Sequence, residues 1–196
     1  MEAPPQSVSN SLLKNLKPDP FFSIQMRFVM VCLFALISAS VVLADADVAS
    51  PAVVEPETDL LCTGYVLAGL ADDRQVHAFY LEWRSRPRWY GLAPYVFGSW
   101  RETGASYLGA GLLYTISLSP QWKLTASSGP GYYERDGELD LGSRLEFAST
   151  LELAYRFASG RRIALGVGHI SNAGAGRINP GSEYIRLGFQ LPISAR

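Results

Sequence analysis

The sequence predicts an all-β protein, an eight-stranded antiparallel transmembrane β-barrel of the outer membrane, from three observations. Segments with alternating apolar and polar residues follow one another from residue 59 onward, separated by turn residues, without a convincing helical segment between them. An export signal precedes them, as expected of a protein of the cell envelope. The segments have about the 9 to 11 residues that a strand needs to cross a bilayer.

The residues before the barrel are predicted to form three segments. We interpret residues 1–25 as an unstructured leader or as the product of a wrongly assigned start codon. Residues 26–46 contain a basic residue, an uncharged apolar stretch and then small residues, which is the order of a cleavable signal peptide. A transmembrane anchor is the alternative, but serines dilute the apolar stretch and no basic flank follows it. Residues 47–58 carry three acids and two prolines and are predicted to be a flexible lead-in to the barrel at 59–196.

Eight segments show the strand pattern. They are predicted at residues 59–71, 75–85, 89–100, 105–118, 121–133, 141–157, 161–171 and 182–192. The sixth is the clearest, because apolar residues from Leu145 to Phe157 occupy one face, with Ser149 as the exception, and charged residues occupy the other. The fifth is the weakest, because a run of serine, glycine and proline at residues 127–131 breaks its pattern.

Two architectures are compatible with such strands. A soluble barrel or sandwich buries its apolar face, whereas a membrane barrel shows that face to lipid and has a polar interior. Aromatic residues near the strand ends favour the membrane barrel, because they form interfacial girdles. They are Trp83, Trp89, Tyr90, Trp100, Trp122, Tyr132, Tyr133, Tyr155 and Phe157. The charged residues expected on the inner face are Glu82, Arg84, Arg144, Glu146, Glu152, Arg156 and Arg186.

The composition argues against several functions. The net charge is −1 and no basic stripe is present, so we expect no nucleic acid partner. Of the two cysteines, Cys32 lies in the predicted signal peptide, which leaves Cys62 alone. We therefore expect no internal disulfide and no cysteine metal cluster, and Cys62 should be a buried or lipid-facing thiol without a chemical role.

The lengths of the predicted connections orient the barrel. Those at residues 85–88, 119–120 and 158–160 are short, while those at 134–140 and 172–181 are longer. Outer-membrane barrels have short periplasmic turns and longer outer loops. The longer connections should therefore face the cell exterior, and the 172–181 loop places the end of the seventh strand at the outer leaflet.

A histidine, a serine and a carboxylate flank this loop. His169 and Ser171 lie two residues apart on the apolar face of the seventh strand, and Glu183 lies on the apolar face of the eighth. A hairpin would bring Glu183 close to both. A serine hydroxyl needs a base to take its proton, and the imidazole needs a carboxylate to fix its tautomer. The pattern thus predicts Ser171 as nucleophile, His169 as base and Glu183 as orienting acid.

The turn directly after the serine is a candidate oxyanion hole, because a tetrahedral intermediate needs amide donors aimed at its charged oxygen. We predict that the backbone of Asn172, Ala173 and Gly174 supplies them. The alternative is that the histidine is an interfacial residue, the serine begins a turn and the glutamate is a solvated strand start. Polar and ionisable groups on a lipid-facing surface are costly and usually functional, which favours the catalytic interpretation.

The run His169-Ile170-Ser171-Asn172-Ala173-Gly174, followed by Asn179 and by Glu183 twelve residues after the serine, resembles the motif of the PagL-type lipid A 3-O-deacylases. The resemblance extends from about residue 60 to Ile193. It implies an outer-membrane barrel that hydrolyses the ester of the 3-hydroxyacyl chain at position 3 of lipid A, without a metal or other cofactor. It also implies the same roles for Ser171, His169 and Glu183. The chain departs from the family pattern at Phe147-Ala148-Ser149, which lacks the acidic residues expected there, and at Ser194-Ala195-Arg196, which extends past the usual end.

These observations together predict a serine esterase in the outer membrane of a Gram-negative bacterium. Its expected partners are lipid A of outer-leaflet lipopolysaccharide and the membrane itself, and a homodimer is left open. An outer-membrane phospholipase is the first alternative. The others are a small non-catalytic barrel that acts through its outer loops and a soluble lipocalin-like binder.

Overall fold

The computed structural model describes residues 58–72 and 75–193. It has eight strands: β1 (Asp59–Ala68), β2 (Val76–Arg84), β3 (Leu92–Arg101), β4 (Ser106–Ser117), β5 (Trp122–Glu134), β6 (Leu145–Arg156), β7 (Arg162–Ser171) and β8 (Ser182–Ile193). Each strand pairs antiparallel with the next and β8 pairs with β1, so the sheet closes into a barrel. The predicted fold class is confirmed. The segments predicted at 1–25, 26–46 and 47–58 lie outside the described residues, except for Thr58.

The alternation of side chains along the strands separates an apolar outer surface from a polar interior. In β2, buried and exposed residues alternate over the whole strand. Large apolar side chains stay exposed on the outer surface, among them Phe79 at 55%, Leu108 at 63% and Phe189 at 56%. This is the reverse of a soluble protein and the arrangement that lipid requires. No helix in the described part of the chain is long and apolar enough to cross a membrane.

A network of ion pairs occupies part of the interior. The Glu152 carboxylate accepts hydrogen bonds from Arg84 at 2.8 Å, Arg186 at 2.7 Å and Gln190 at 2.6 Å. Glu82 accepts hydrogen bonds from both arginines. All five residues are buried, and buried charges are tolerated only when they are paired in this way. The predicted interior positions of these four charged residues are confirmed.

The prediction was wrong for two side chains near the longer loops. Tyr133, expected in an aromatic girdle, is buried, and its hydroxyl donates to the Leu139 carbonyl at 3.3 Å. Arg144, expected inside, is exposed, and its guanidinium donates to the Tyr132 hydroxyl at 2.9 Å. Arg144 precedes β6, which begins at Leu145 rather than at residue 141, so strand alternation does not fix the direction of its side chain.

Strand β5 is continuous through residues 127–131, where its sequence pattern is weakest. Two of these positions must be glycine because a larger residue would clash with the neighbouring strand. A Cβ on Gly129 would lie 2.1 Å from the Ala110 carbonyl oxygen of β4, and one on Gly131 would lie 2.3 Å from the Tyr107 ring. The alternation is lost at these positions because the neighbouring strand and an interior aromatic ring leave no room for side chains.

The two longest described connections, 135–144 and 172–181, lie at the same end of the barrel. We call this end the loop end. The connections 118–121 and 157–161 at the opposite end are shorter. Ser171 ends β7 and Ser182 begins β8 at the loop end, which places the predicted site there.

Candidate active site on the lipid-facing surface

His169 and Glu183 are directly opposite each other in the β7–β8 pair. Their side chains meet on the outer surface, with the imidazole Nδ1 atom 3.3 Å from a Glu183 carboxylate oxygen. The histidine side chain is 11% exposed and the glutamate side chain 43%. Residues opposite each other on antiparallel strands have close Cβ atoms, so the register of the hairpin itself creates this contact.

Ser171 follows two residues after His169 on the same face of β7. The other imidazole nitrogen, Nε2, is buried and has no hydrogen-bond partner within residues 58–72 and 75–193. The expected bond between Ser171 and His169 is therefore not formed in this structure. Catalytic hydrogen bonds are often loose without substrate, so the missing bond does not remove Ser171 as a candidate.

The connection between β1 and β2 holds the start of β8. The backbone N–H groups of Gly69 and Leu70 donate to the Glu183 carbonyl at 2.9 and 3.3 Å. The hydroxyl of Ser182 donates to Asp72 at 2.9 Å. The β1–β2 connection thus holds the backbone of Glu183 in place, while the Glu183 side chain faces His169.

The side chain of Asn172 organises the loop that follows Ser171. It is fully buried, and its amide group donates to the carbonyls of Leu141 at 2.6 Å and Ile178 at 2.7 Å. Its side-chain oxygen accepts from the Gly174 N–H at 2.9 Å. One residue therefore joins the β7–β8 loop to the β5–β6 loop. This side-chain role of Asn172 was not predicted, although asparagine is a frequent loop residue whose side chain bonds the backbone two residues on.

The three residues predicted to supply the oxyanion hole lie in this loop. The backbone N–H groups of two of them already donate hydrogen bonds. The N–H of Asn172 donates to the side-chain oxygen of Asn179 at 3.1 Å, and that of Gly174 donates within the loop. Ala173 takes no part in these two bonds and has a φ of 53°, which is uncommon for a residue with a Cβ atom. Such a conformation marks a constrained turn directly beside the serine.

The outer surface next to the site comes from β6. Phe147 is opposite Ser171, and Ser149 is opposite His169. The site thus has an apolar ring beside the predicted nucleophile and a hydroxyl beside the predicted base. Within the described residues, no group of three or more His, Cys, Asp or Glu side chains is placed to hold a metal ion.

These features define an integral outer-membrane β-barrel with a serine, a histidine and a carboxylate on its lipid-facing surface. The chain belongs to the PagL family of lipid A 3-O-deacylases, whose sequence profile matches residues 66–192. It is accordingly a member of a family of outer-membrane hydrolases. The curated proteins contain no matching sequence.

Solved structures with the same fold include both an enzyme and proteins with no stated activity. The crystal structure of the outer-membrane enzyme PagL has a TM-score of 0.55 and 22% identity, covering 68% of this chain and 99% of that one. Neisserial surface protein A has a TM-score of 0.53 and 12% identity, covering 69% and 97%. A de novo designed transmembrane β-barrel has a TM-score of 0.50 and 14% identity, covering 71% and 98%. The fold is therefore shared with proteins of different origin, and it does not by itself define an activity, which depends on the residues of the site.

Proposed function

We propose that this protein removes the 3-O-linked hydroxyacyl chain of lipid A by a Ser-His-Glu mechanism in the outer leaflet. The main support is the contact between His169 and Glu183 on the lipid-facing surface, with Ser171 two residues along the same strand. An isolated polar residue could be part of an interfacial girdle. A histidine paired with a carboxylate beside a serine has the arrangement that activates a hydroxyl.

In the proposed reaction, Ser171 Oγ attacks the ester carbonyl carbon while His169 Nε2 takes the hydroxyl proton. Glu183 holds Nδ1 and stabilises the imidazolium that forms. The carbon–oxygen bond to the sugar then breaks, and the imidazolium gives its proton to the departing sugar oxygen. Water activated by the imidazole releases the fatty acid and restores the serine.

The proposed role of the backbone after Ser171 is to stabilise the charged oxygen of the intermediate. Ala173 is the best placed of the three predicted residues, because its N–H is not used in the bonds that occupy Asn172 and Gly174. Reorganisation of the loop on substrate binding would release the other two. Stabilisation of the charged oxygen thus depends on the β7–β8 loop and not on the strands.

The topology proposed for the membrane places the loop end outside the cell. Outer-membrane barrels have their longer loops there, and lipid A is a lipid of the outer leaflet. Export by the signal peptide at 26–46, with residues 1–25 as a leader or a misassigned start, belongs to the same proposal. The proposed reaction is the same for a monomer and for a homodimer, because the residues of the site come from one chain.

The test is mass spectrometry of lipid A from Gram-negative cells that express residues 26–196. The native chain should remove one hydroxyacyl mass, and Ser171→Ala and His169→Asn should abolish the loss. His77→Asn is the matched control, because His77 is the other histidine of the chain and is also on the outer surface. Assembly of each variant is checked by the heat-dependent electrophoretic mobility of the folded barrel.

Unchanged lipid A from an assembled native protein would contradict the proposal. A phospholipase assay on the same membranes would then test the first alternative, and loop deletions would test a non-catalytic barrel. Equal activity of Ser171→Ala and the native chain would support lipid A deacylation but refute the serine mechanism.

A further inference from the structure

Two serines lie side by side on the lipid-facing surface at some distance from the loop end. The hydroxyl oxygens of Ser128 on β5 and Ser149 on β6 are 2.9 Å apart and hydrogen-bonded to each other. Ser128 is exposed and Ser149 is half-buried. They interrupt the apolar outer faces of both strands, and hydroxyl groups facing hydrocarbon are unfavourable unless something uses them.

The pair of serines continues the row of polar residues that forms the candidate site. In the barrel register, Glu183 is opposite His169, His169 is opposite Ser149, and Ser149 is opposite Ser128. The four residues therefore lie in one cross-strand row over β8, β7, β6 and β5. The serines are on the side of the histidine away from the glutamate.

Apolar side chains border this row at its β4 end and on the side away from the loop end. Leu112 is opposite Ser128 on β4, where it continues the row, and is 44% exposed. Val167 is two residues before His169, on the side away from the loop end, and is 47% exposed. Phe147 borders it on the side of the loop end, opposite Ser171. A substrate chain next to the serine pair is thus in contact with hydrocarbon-like surface on both sides. The two hydroxyls are the polar features of this part of the surface.

The hydrogen-bonding capacity of the pair selects the kind of group that it can bind. Each serine hydroxyl has one donor and two acceptor positions. The mutual bond uses one donor and one acceptor, so the pair still offers a donor and several acceptors. A group that both accepts and donates, such as an alcohol, matches this set, whereas an unsubstituted alkyl chain leaves it unpaired.

The separation from the nucleophile also fits a hydroxyl close to the ester. Ser171 and Ser149 are diagonal neighbours on adjacent strands, and such residues have Cβ atoms about 7–8 Å apart. A carbonyl carbon bonded to Ser171 Oγ, with an alcohol two carbons further along the chain, covers about this distance together with one hydrogen bond. A hydroxyl much further along the acyl chain would lie beyond hydrogen-bonding reach of the two serines.

We propose that Ser128 and Ser149 form a specificity subsite that recognises a hydroxyl group near the ester end of the acyl chain. This inference rests on the proposed function and adds to it the residues that distinguish a hydroxyacyl chain from a plain acyl chain. The pair binds the alcohol of the chain while Ser171 attacks its carbonyl carbon. Ser149 makes the first contact, and Ser128 holds the Ser149 hydroxyl in place.

The experiment measures kcat/KM of the purified full-length protein in detergent micelles on two synthetic lipid A substrates. One carries a 3-hydroxyacyl ester and the other an unsubstituted acyl ester of the same length at the same position. The native chain should prefer the hydroxyacyl ester by about fivefold or more, the value of one neutral hydrogen bond. Ser128→Ala/Ser149→Ala should reduce the preference to about onefold, because the alcohol then loses its partners.

The matched control is Thr115→Val/Thr125→Val, which removes a hydroxyl pair of the same 2.9 Å separation between β4 and β5 that is half-buried or buried. It should keep the native preference. If the double serine variant loses activity on both substrates, the preference is measured on Ser128→Ala, which is one strand further from His169.

Three results would overturn the inference. They are a native preference of about onefold, an unchanged preference in the double serine variant, and an unchanged preference in Ser128→Ala when the double variant is inactive. A native chain that hydrolyses neither ester would instead refute the proposed function. The failures of the two proposals are therefore distinguishable.

Discussion

Replacing Asn172 by aspartate tests whether this side chain holds the site loop in its active shape. The substitution keeps the size and the oxygen that accepts from the Gly174 N–H, but it removes the NH₂ group. That group donates to the carbonyls of Leu141 and Ile178 at 2.6 and 2.7 Å. The new carboxylate oxygen would face two carbonyl oxygens in a fully buried position.

The cost follows from these contacts. Each lost hydrogen bond contributes about 1 kcal/mol, and an acceptor buried without a donor adds at least about 1 kcal/mol. The total of about 3 kcal/mol corresponds to a decrease of about 100-fold in the equilibrium constant for ordering the loop. Because the loop follows Ser171 directly, the rate of lipid A deacylation should fall by up to about this factor.

The rate is measured with purified protein in detergent micelles, and barrel assembly is monitored by electrophoretic mobility. Asn179→Asp is the matched control, because the side-chain oxygen of Asn179, which aspartate retains, accepts from the Asn172 N–H. It should lose much less activity. Native activity in Asn172→Asp, or an equal loss in Asn179→Asp, would refute the assigned role of the Asn172 amide group.

Three further predictions concern the site and the barrel wall. Glu183→Gln should lower kcat by about 100-fold without a change in assembly, because a neutral amide does not stabilise the imidazolium of His169; a native kcat would contradict the triad. Glu152→Gln should lower the free energy of unfolding by about 3–5 kcal/mol, seen as a lower urea midpoint, because two buried guanidinium groups lose their shared carboxylate; an unchanged midpoint would refute this. Gly168→Ala should cost about 1–3 kcal/mol in the same assay, since its Cβ would lie 2.3 Å from the Tyr184 ring, and native stability would show that the ring can move.

The strands of this barrel were predictable because a period of two is a local property of the sequence. β6 could be assigned from the outward apolar series that ends near Tyr155 and from the inward charge of Glu152. β5 was harder to assign, because its glycines are explained by the Ala110 carbonyl and the Tyr107 ring of the neighbouring strand and not by the sequence around them. The direction of Tyr133 was missed because the prediction placed both Tyr132 and Tyr133 in the girdle, although successive strand residues face opposite sides and Tyr133 shares the inner face with Gly131.

For the site, sequence reasoning reached the residues whose positions depend on the strands. His169 and Glu183 are brought together by the register of one hairpin, and a hairpin is a local structure. The role of Asn172 was not predictable in the same way, since its bond to the Leu141 carbonyl joins residues 31 positions apart on two different loops. Contacts between loops have no periodicity, so the sequence pattern does not predict how the loop after Ser171 is held.

The charged network inside the barrel has a consequence for the cell that carries it. Glu152 accepts hydrogen bonds from both Arg84 and Arg186 in the interior, which in a porin holds water. The proposed site on the outer wall needs no lumen, and side chains that bridge the interior occupy space through which a small solute would pass. We therefore expect the barrel not to act as a pore for small solutes, so that additional copies in the outer membrane should add little to its permeability.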